Sequence, residues 1–124
     1  FGHACWRYGH TSNPNNDDEA VFFVSNLDLD KCFLPKQIIK DFLLETNIKL
    51  VSKPPDAYLN GQTYGLDGTW HTDHDELKDR HTLLYMVNGG DTEKIGDFHR
   101  GLAPSVKNKM RVTLAYKDME VEFL

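Results

Sequence analysis

The stretch Pro35-Lys36-Gln37-Ile38-Ile39-Lys40-Asp41-Phe42-Leu43-Leu44-Glu45-Thr46-Asn47-Ile48-Lys49-Leu50-Val51 changes its period partway along. Through Glu45, the residues Ile38, Ile39, Phe42 and Leu43 fall at i, i+1, i+4 and i+5, which is one face of a helix. Pro35 suits the first turn, where a missing N–H leaves no helical bond unmade. Thr46-Asn47 ends the helix. Ile48–Val51 then reads as a strand, stopped by Pro54-Pro55. From Ala57 onward, short segments rich in Val, Thr, Tyr, Leu and Trp are cut by Gly and Asn. The strand candidates are Ala57–Asn60, Gly68–Thr72, Thr82–Val87, Met110–Tyr116 and Glu120–Phe123. Upstream, Ala20–Val24 reads as a short buried strand or core segment, and Thr11 to Asp18 carries turn chemistry almost throughout. A helical layer over Pro35–Glu45 therefore packs on an antiparallel β core. This is an α+β chain with a sandwich or barrel.

Composition narrows the function classes. The 124 residues suffice for one domain, read here as a single domain over residues 1–124. Hydrophobic residues make up 40% and charged ones 27%, which argues against a wholly disordered chain. No apolar run reaches the length of a membrane span. The net charge of −5, with no Lys/Arg stripe, is a poor match for a nucleic-acid binder held by phosphate contacts. Two cysteines, Cys5 and Cys32, make neither a disulfide framework nor a four-cysteine zinc site, so a reducing, cytoplasmic setting is expected. The chain starts at Phe1 without Met or a signal pattern, and is expected to be a fragment or an ordered part of something longer.

The chemistry concentrates in Trp70-His71-Thr72-Asp73-His74-Asp75-Glu76. Two residues apart on a strand, His71 and Asp73 point the same way and can share a metal ion. The best candidate for a third ligand is His99, in Phe98-His99-Arg100-Gly101 after a Gly-rich stretch. Two imidazoles and one carboxylate on one face of iron leave three positions open, as an Fe(II) oxygenase requires. The competing reading is a solvated acidic loop, because Asp73, Asp75, Glu76 and Asp79 lie close together. His74 and His81 are rival ligands, read as surface or supporting residues.

A second feature is Arg111-Val112-Thr113 inside Met110–Tyr116. Arg111 and Thr113 share a strand face, and a guanidinium beside a hydroxyl can orient a carboxylate. The alternative is an edge-strand Arg reaching water. Beside a metal site, such a pair gains the purpose of holding the far carboxylate of a chelating diacid.

Six ordered blocks carry a family resemblance: Ala57-Tyr58-Leu59-Asn60-Gly61, His71-Thr72-Asp73, Thr82-Leu83-Leu84-Tyr85-Met86-Val87-Asn88, Gly89-Gly90-Asp91-Thr92, His99-Arg100-Gly101 and Arg111-Val112-Thr113. Over about Ala57 to Lys117, roughly half of the chain, the sequence resembles the Fe(II)/2-oxoglutarate-dependent dioxygenases. The branch is similar to the prolyl-hydroxylase-like group with its short bacterial and phage members. The resemblance implies a double-stranded β-helix (jelly-roll) core with a supporting N-terminal helix. It implies His71, Asp73 and His99 as iron ligands, and Arg111, assisted by Thr113, as the partner of the distal carboxylate of 2-oxoglutarate. It also implies a cosubstrate-binding tyrosine upstream of the first His; Tyr58 fits the context best, with Tyr64 as the spare. One departure stands out. Only residues 74–98 separate Asp73 from His99, too short for four strands of about five residues with their turns. One or more loop segments between Asp73 and His99 are therefore expected to be missing from this sequence.

The implied cofactor set is Fe(II), 2-oxoglutarate as cosubstrate, and O₂. The implied reaction is hydroxylation of an unactivated C–H bond, on a peptidyl proline or another protein side chain. The same chemistry on a small molecule or nucleobase, and a non-catalytic jelly-roll binding module, are the alternatives. Neither a membrane nor a nucleic-acid partner is expected. The N-terminal residues Trp6, Arg7, Tyr8 and His10 either line the mouth of the site or, the preferred reading for Trp6 and Tyr8, pack on the sheet.

Overall fold

The computed structural model describes residues 6–10, 22–51, 55–72 and 80–124. In chain order its elements are β1 (Arg7–His10), β2 (Phe22–Leu27), α1 (Phe33–Thr46), β3 (Ile48–Leu50), β4 (Asp56–Thr63), β5 (His81–Met86), β6 (Thr92–Ile95), β7 (Phe98–Gly101), β8 (Met110–Met119) and β9 (Val121–Phe123). Over the described residues the architecture is α+β, mostly β-sheet with one helix. No helix among the described residues is long and apolar enough to cross a membrane.

The helix forms where the pattern places it. Pro35 is buried inside its first turn, and Asn47 ends it in the left-handed conformation at φ 54°, which Asn tolerates better than most residues. Ile39 is buried in the core, with Ile38, Phe42 and Leu43 packed against it. The expected helical face is thus the buried one.

Five strands form an antiparallel sheet in the order β1-β2-β4-β8-β5. The register sets Leu59 opposite Leu114 and Ala57 opposite Tyr116. Directly opposed residues share a face, and successive residues alternate. Leu59, Leu114 and Tyr116 therefore lie together on the α1 side, all three at 0% exposure. Tyr58, Asn60 and Gln62 on β4, with Arg111 and Thr113 on β8, lie on the opposite face. Between β5 and β8 the pairs step from Leu83–Tyr116 to His81–Met119, and Asp118 adopts φ 57°. This extra residue is a bulge, and it returns Met119 to the core.

Two smaller antiparallel pairs complete the fold, β3 with β9 and β6 with β7. β6 and β7 form a hairpin around Gly96-Asp97, where Gly96 takes φ 58°, a conformation glycine adopts without strain.

Several sequence expectations are corrected. Gly68–Thr72 is not a strand: His71 makes one isolated antiparallel bridge to His99, and Gly68 donates its N–H to the Gly101 carbonyl at 2.8 Å. The segment runs beside β7 with isolated contacts, pinned further by Arg100 over the Trp70 ring at 4.8 Å. β1 and the β6–β7 hairpin were not anticipated. β4 extends to Thr63 and β8 to Met119. The strand expected at Ala20–Val24 is described from Phe22 and runs to Leu27; residues 20 and 21 lie outside the described residues.

Tyr116 ties β8 to the helix, its hydroxyl donating to the Pro35 carbonyl. Burial raises the phenol's pKa above its usual value of 10.0, and the neighbouring Tyr85 adds to that rise. A raised phenol favours the neutral form in the folded state. Its stabilisation is present below the unfolded value and is lost as pH climbs beyond it. In urea unfolding, stability should fall above about pH 10, and the fall should be shallower in Tyr116→Phe. At neutral pH that variant should lose about 0.5–1.5 kcal/mol. An equally steep alkaline limb in the variant would assign the titration to another group.

Candidate functional site

The sheet face opposite α1 carries polar residues because three strands alternate in phase there. β4 offers Tyr58, Asn60 and Gln62, and β8 offers Arg111, Thr113 and Lys117, the last just before the bulge. β5 adds Leu84. Over this face lie β6 and β7, contributing Thr92, His99 and Gly101, together with His71. A cavity of about 200 Å³ is lined by these residues.

The two imidazoles meet through their backbones. His71 N–H donates to the His99 carbonyl at 3.0 Å, and His99 N–H to the His71 carbonyl at 2.9 Å. Their ring centroids are 4.4 Å apart at 60°. His71 Nδ1 lies 2.7 Å from the Thr69 carbonyl oxygen. A carbonyl only accepts, so Nδ1 carries the proton of the neutral ring and Nε2 bears the lone pair. That is the second contact a ligating imidazole usually makes, fixing tautomer and ring orientation. Among the described residues no three His, Cys, Asp or Glu side chains come together as a metal group. Asp73 and His74 lie outside the described residues.

Among the described residues Arg111 is the one charged side chain buried in the sheet. It is 5% exposed, yet every acceptor it meets is neutral. Nη1 donates to the Leu102 carbonyl at 3.0 Å and to Gln62 Oε1 at 3.3 Å. Nη2 lies 3.1 Å from Met86 Sδ and 3.2 Å from Thr92 Oγ1. Nε is buried without a hydrogen-bond partner. Burial lowers the Arg111 pKa from its usual value, and the charge of Asp91 opposes that shift. Arginine remains cationic even so. Two glycines make room for the side chain. A Cβ on Gly90 would sit 2.5 Å from Arg111 Nε, and one on Gly101 would sit 2.7 Å from Nη1.

Five of the six residues expected at the site, His71, His99, Arg111, Thr113 and Tyr58, line this one cavity; the sixth, Asp73, is among those not described. Tyr64, the spare tyrosine, is exposed on the turn after β4. His81 is exposed, with its ring edge-on to Phe123 at 5.4 Å. The Tyr8 ring contacts that of Phe23 at 4.7 Å, tilted by 48°, and a Cβ on Gly61 would sit 3.3 Å from a Trp6 ring carbon. Both aromatics rest on the sheet, and neither lines the cavity. Asn60, Gln62 and Lys117 were missed as cavity residues. Period-two counting from Tyr58 and from Arg111 was the signal that would have found them. Asn60 Oδ1 is buried there without a hydrogen-bond partner. No family model, no curated protein and no solved structure matches the chain.

Proposed function

We propose that this cavity serves an Fe(II)- and 2-oxoglutarate-dependent dioxygenase that hydroxylates an unactivated C–H bond. The observation that carries the reading is Arg111, a buried cation whose hydrogen-bond acceptors are all neutral, in the same cavity as two imidazoles in contact. A buried charge whose hydrogen-bond acceptors are all neutral is costly, and the nearby charge of Asp91 offsets that cost without pairing directly with the guanidinium; a ligand carboxylate would supply the direct pair. A carboxylate entering from the cavity meets that need, and the orphaned Nε is a donor left over, while the orphaned Asn60 Oδ1 is an acceptor that would take a donor instead. The donor set suits the metal too: two imidazoles, with Asp73 two residues beyond His71 as the third ligand, match a site that keeps positions open.

His71, Asp73 and His99 would hold the iron. Arg111 and Thr113 would hold the distal carboxylate of 2-oxoglutarate, with Tyr58 on the same cavity wall adding a hydroxyl. When bound, the iron supplies the coupling of O₂-dependent decarboxylation of 2-oxoglutarate to insertion of oxygen into the substrate. The protein's part is to orient the diacid from its far end and to hold the imidazoles in place, His71 through its Nδ1 and the Thr69 carbonyl. A jelly-roll core belongs to the same proposal. It is favoured by a large sheet carrying the helix on one face and a cavity, capped by the β6–β7 hairpin, on the other. The substrate is a peptidyl proline or another protein side chain, with a small molecule as the other class.

The test is succinate release from 2-oxoglutarate with Fe(II) and O₂. Turnover should require all three and vanish in Asp73→Ala. No succinate under any metal condition, with no binding of 2-oxoglutarate by the metal-loaded protein, would leave a binding module in place of an enzyme.

A further inference from the structure

Gln62 sits directly across from Arg111 in the β4–β8 register. Its Oε1 accepts from Arg111 Nη1 at 3.3 Å, and its Nε2 donates to the Gly101 carbonyl at 3.0 Å. The orientation of this amide is unambiguous. A guanidinium has no acceptor and a carbonyl has no donor, so only one flip satisfies both sides. A Cβ on Gly101 would come within 2.7 Å of Gln62 Oε1 as well as of Arg111 Nη1. The glycine is thus fitted to the pair. The amide links β4 to β7 across the end of the cavity where Arg111 lies.

We infer that Gln62 is a positioning residue, fixing the Arg111 guanidinium in place while its neutrality leaves the cationic charge for an incoming carboxylate. The inference rests on the cosubstrate site proposed above. Glutamate is nearly the same size as glutamine and is the commoner partner of a buried arginine. Here it would add a directly paired carboxylate to the charge of Asp91 that already acts on Arg111, and so compete with the ligand. A neutral amide aligns the guanidinium without cancelling it. The remaining partners, a carbonyl, a hydroxyl and a thioether, obey the same rule.

The experiment compares wild type, Gln62→Glu and Gln62→Met, metal-loaded under anaerobic conditions. Two probes are titrated: 2-oxoglutarate, and 2-oxobutyrate, which chelates iron alike but lacks the distal carboxylate. Wild type should prefer 2-oxoglutarate strongly. Gln62→Glu should lose at least about 100-fold in 2-oxoglutarate affinity, as close charge pairs allow. Its affinity for 2-oxobutyrate and for Fe(II) should stay level, so the preference collapses. Gln62→Met keeps the charge open but loses the alignment, and should lose about 5- to 10-fold for 2-oxoglutarate alone, the worth of a neutral hydrogen bond. A merely structural glutamine would weaken both probes together. If wild type binds 2-oxoglutarate and both variants retain its preference, the role of Gln62 is overturned while the cosubstrate site stands. If wild type shows no preference for the diacid, the cosubstrate site itself falls. Should Gln62→Glu fail to fold, the selective loss in Gln62→Met decides, and equal loss for both probes overturns the inference.

Discussion

Arg111→Ala should leave Fe(II) binding level while weakening 2-oxoglutarate by about 2–5 kcal/mol, roughly 30- to several-thousand-fold, because a carboxylate is left stranded in a buried site. The residue lies on β8 and reaches the cavity through its guanidinium, whereas the imidazoles come from His71 and from β7, so the two affinities should separate. Arg111→Lys should recover part of the loss, since an ammonium supplies charge without the planar fork. Thr113→Val should be mildest, about 0.5–1.5 kcal/mol, or up to about 3 if its partner is charged. Removing Arg111 also frees the Leu102 carbonyl, Gln62 and Thr92 from their shared donor, so thermal unfolding should be recorded for each variant. Anaerobic titrations of metal and diacid, performed separately, give the order of damage. Wild-type binding of 2-oxoglutarate by Arg111→Ala would reduce the arginine to a tie between strands.

His99→Ala should lose Fe(II) affinity by more than the 10–100-fold typical of removing a group that merely supports a ligand, and 2-oxoglutarate turnover with it. His71→Ala and Asp73→Ala should behave the same way. In the alanine variants of the histidines the ring contact between residues 71 and 99 and the Nδ1 contact of His71 to Thr69 are lost, while the backbone bonds joining the two residues survive. Far-ultraviolet circular dichroism should therefore be unchanged. His81→Ala is the control, its ring resting on Phe123 outside the cavity lining. Protonated imidazole cannot ligate, so metal affinity should also fall in acid. Intact metal binding by His99→Ala would remove the imidazole pair from the site.

The helix and the central strands were legible because their burial is one-sided. Ile38, Ile39, Phe42 and Leu43 fall on one helical face, and Ala57–Asn60 and Met110–Tyr116 read as strands, whereas the meeting of Leu59 with Leu114 is set by the register. The same alternation put Arg111 and Thr113 on one surface. The β6–β7 hairpin was illegible for the opposite reason: Glu93, Lys94, Ile95 and Phe98 are all exposed, so no apolar rhythm marks it, and its turn Gly96-Asp97 reads as one more Gly-rich stretch. β1 has a register irregularity between Tyr8 and His10, with Gly9 at φ 101°, and lacks alternation too. Gly68–Thr72 has the composition of a strand, but its polar groups find partners one at a time. His99 was reached through spacing and resemblance. Its backbone pairing with His71 is a tertiary fact that no local pattern records.

Because β8 is read from both sides, its length is frozen while its composition is not. Deleting one residue between Arg111 and Leu114 would break the phase between them, so that either Leu114 turns to the cavity or the guanidinium turns toward α1, and the protein loses its core packing or its site. The segment just before β8 is under no such constraint. Leu102 and Ala103 are committed, one through its carbonyl to Arg111 and the other through its N–H to Asp67. Residues 105–109 are exposed. Insertions should be accepted there and rejected a few positions later. Length variation in this protein's descendants, or in a library made from it, should therefore collect between Ser105 and Lys109.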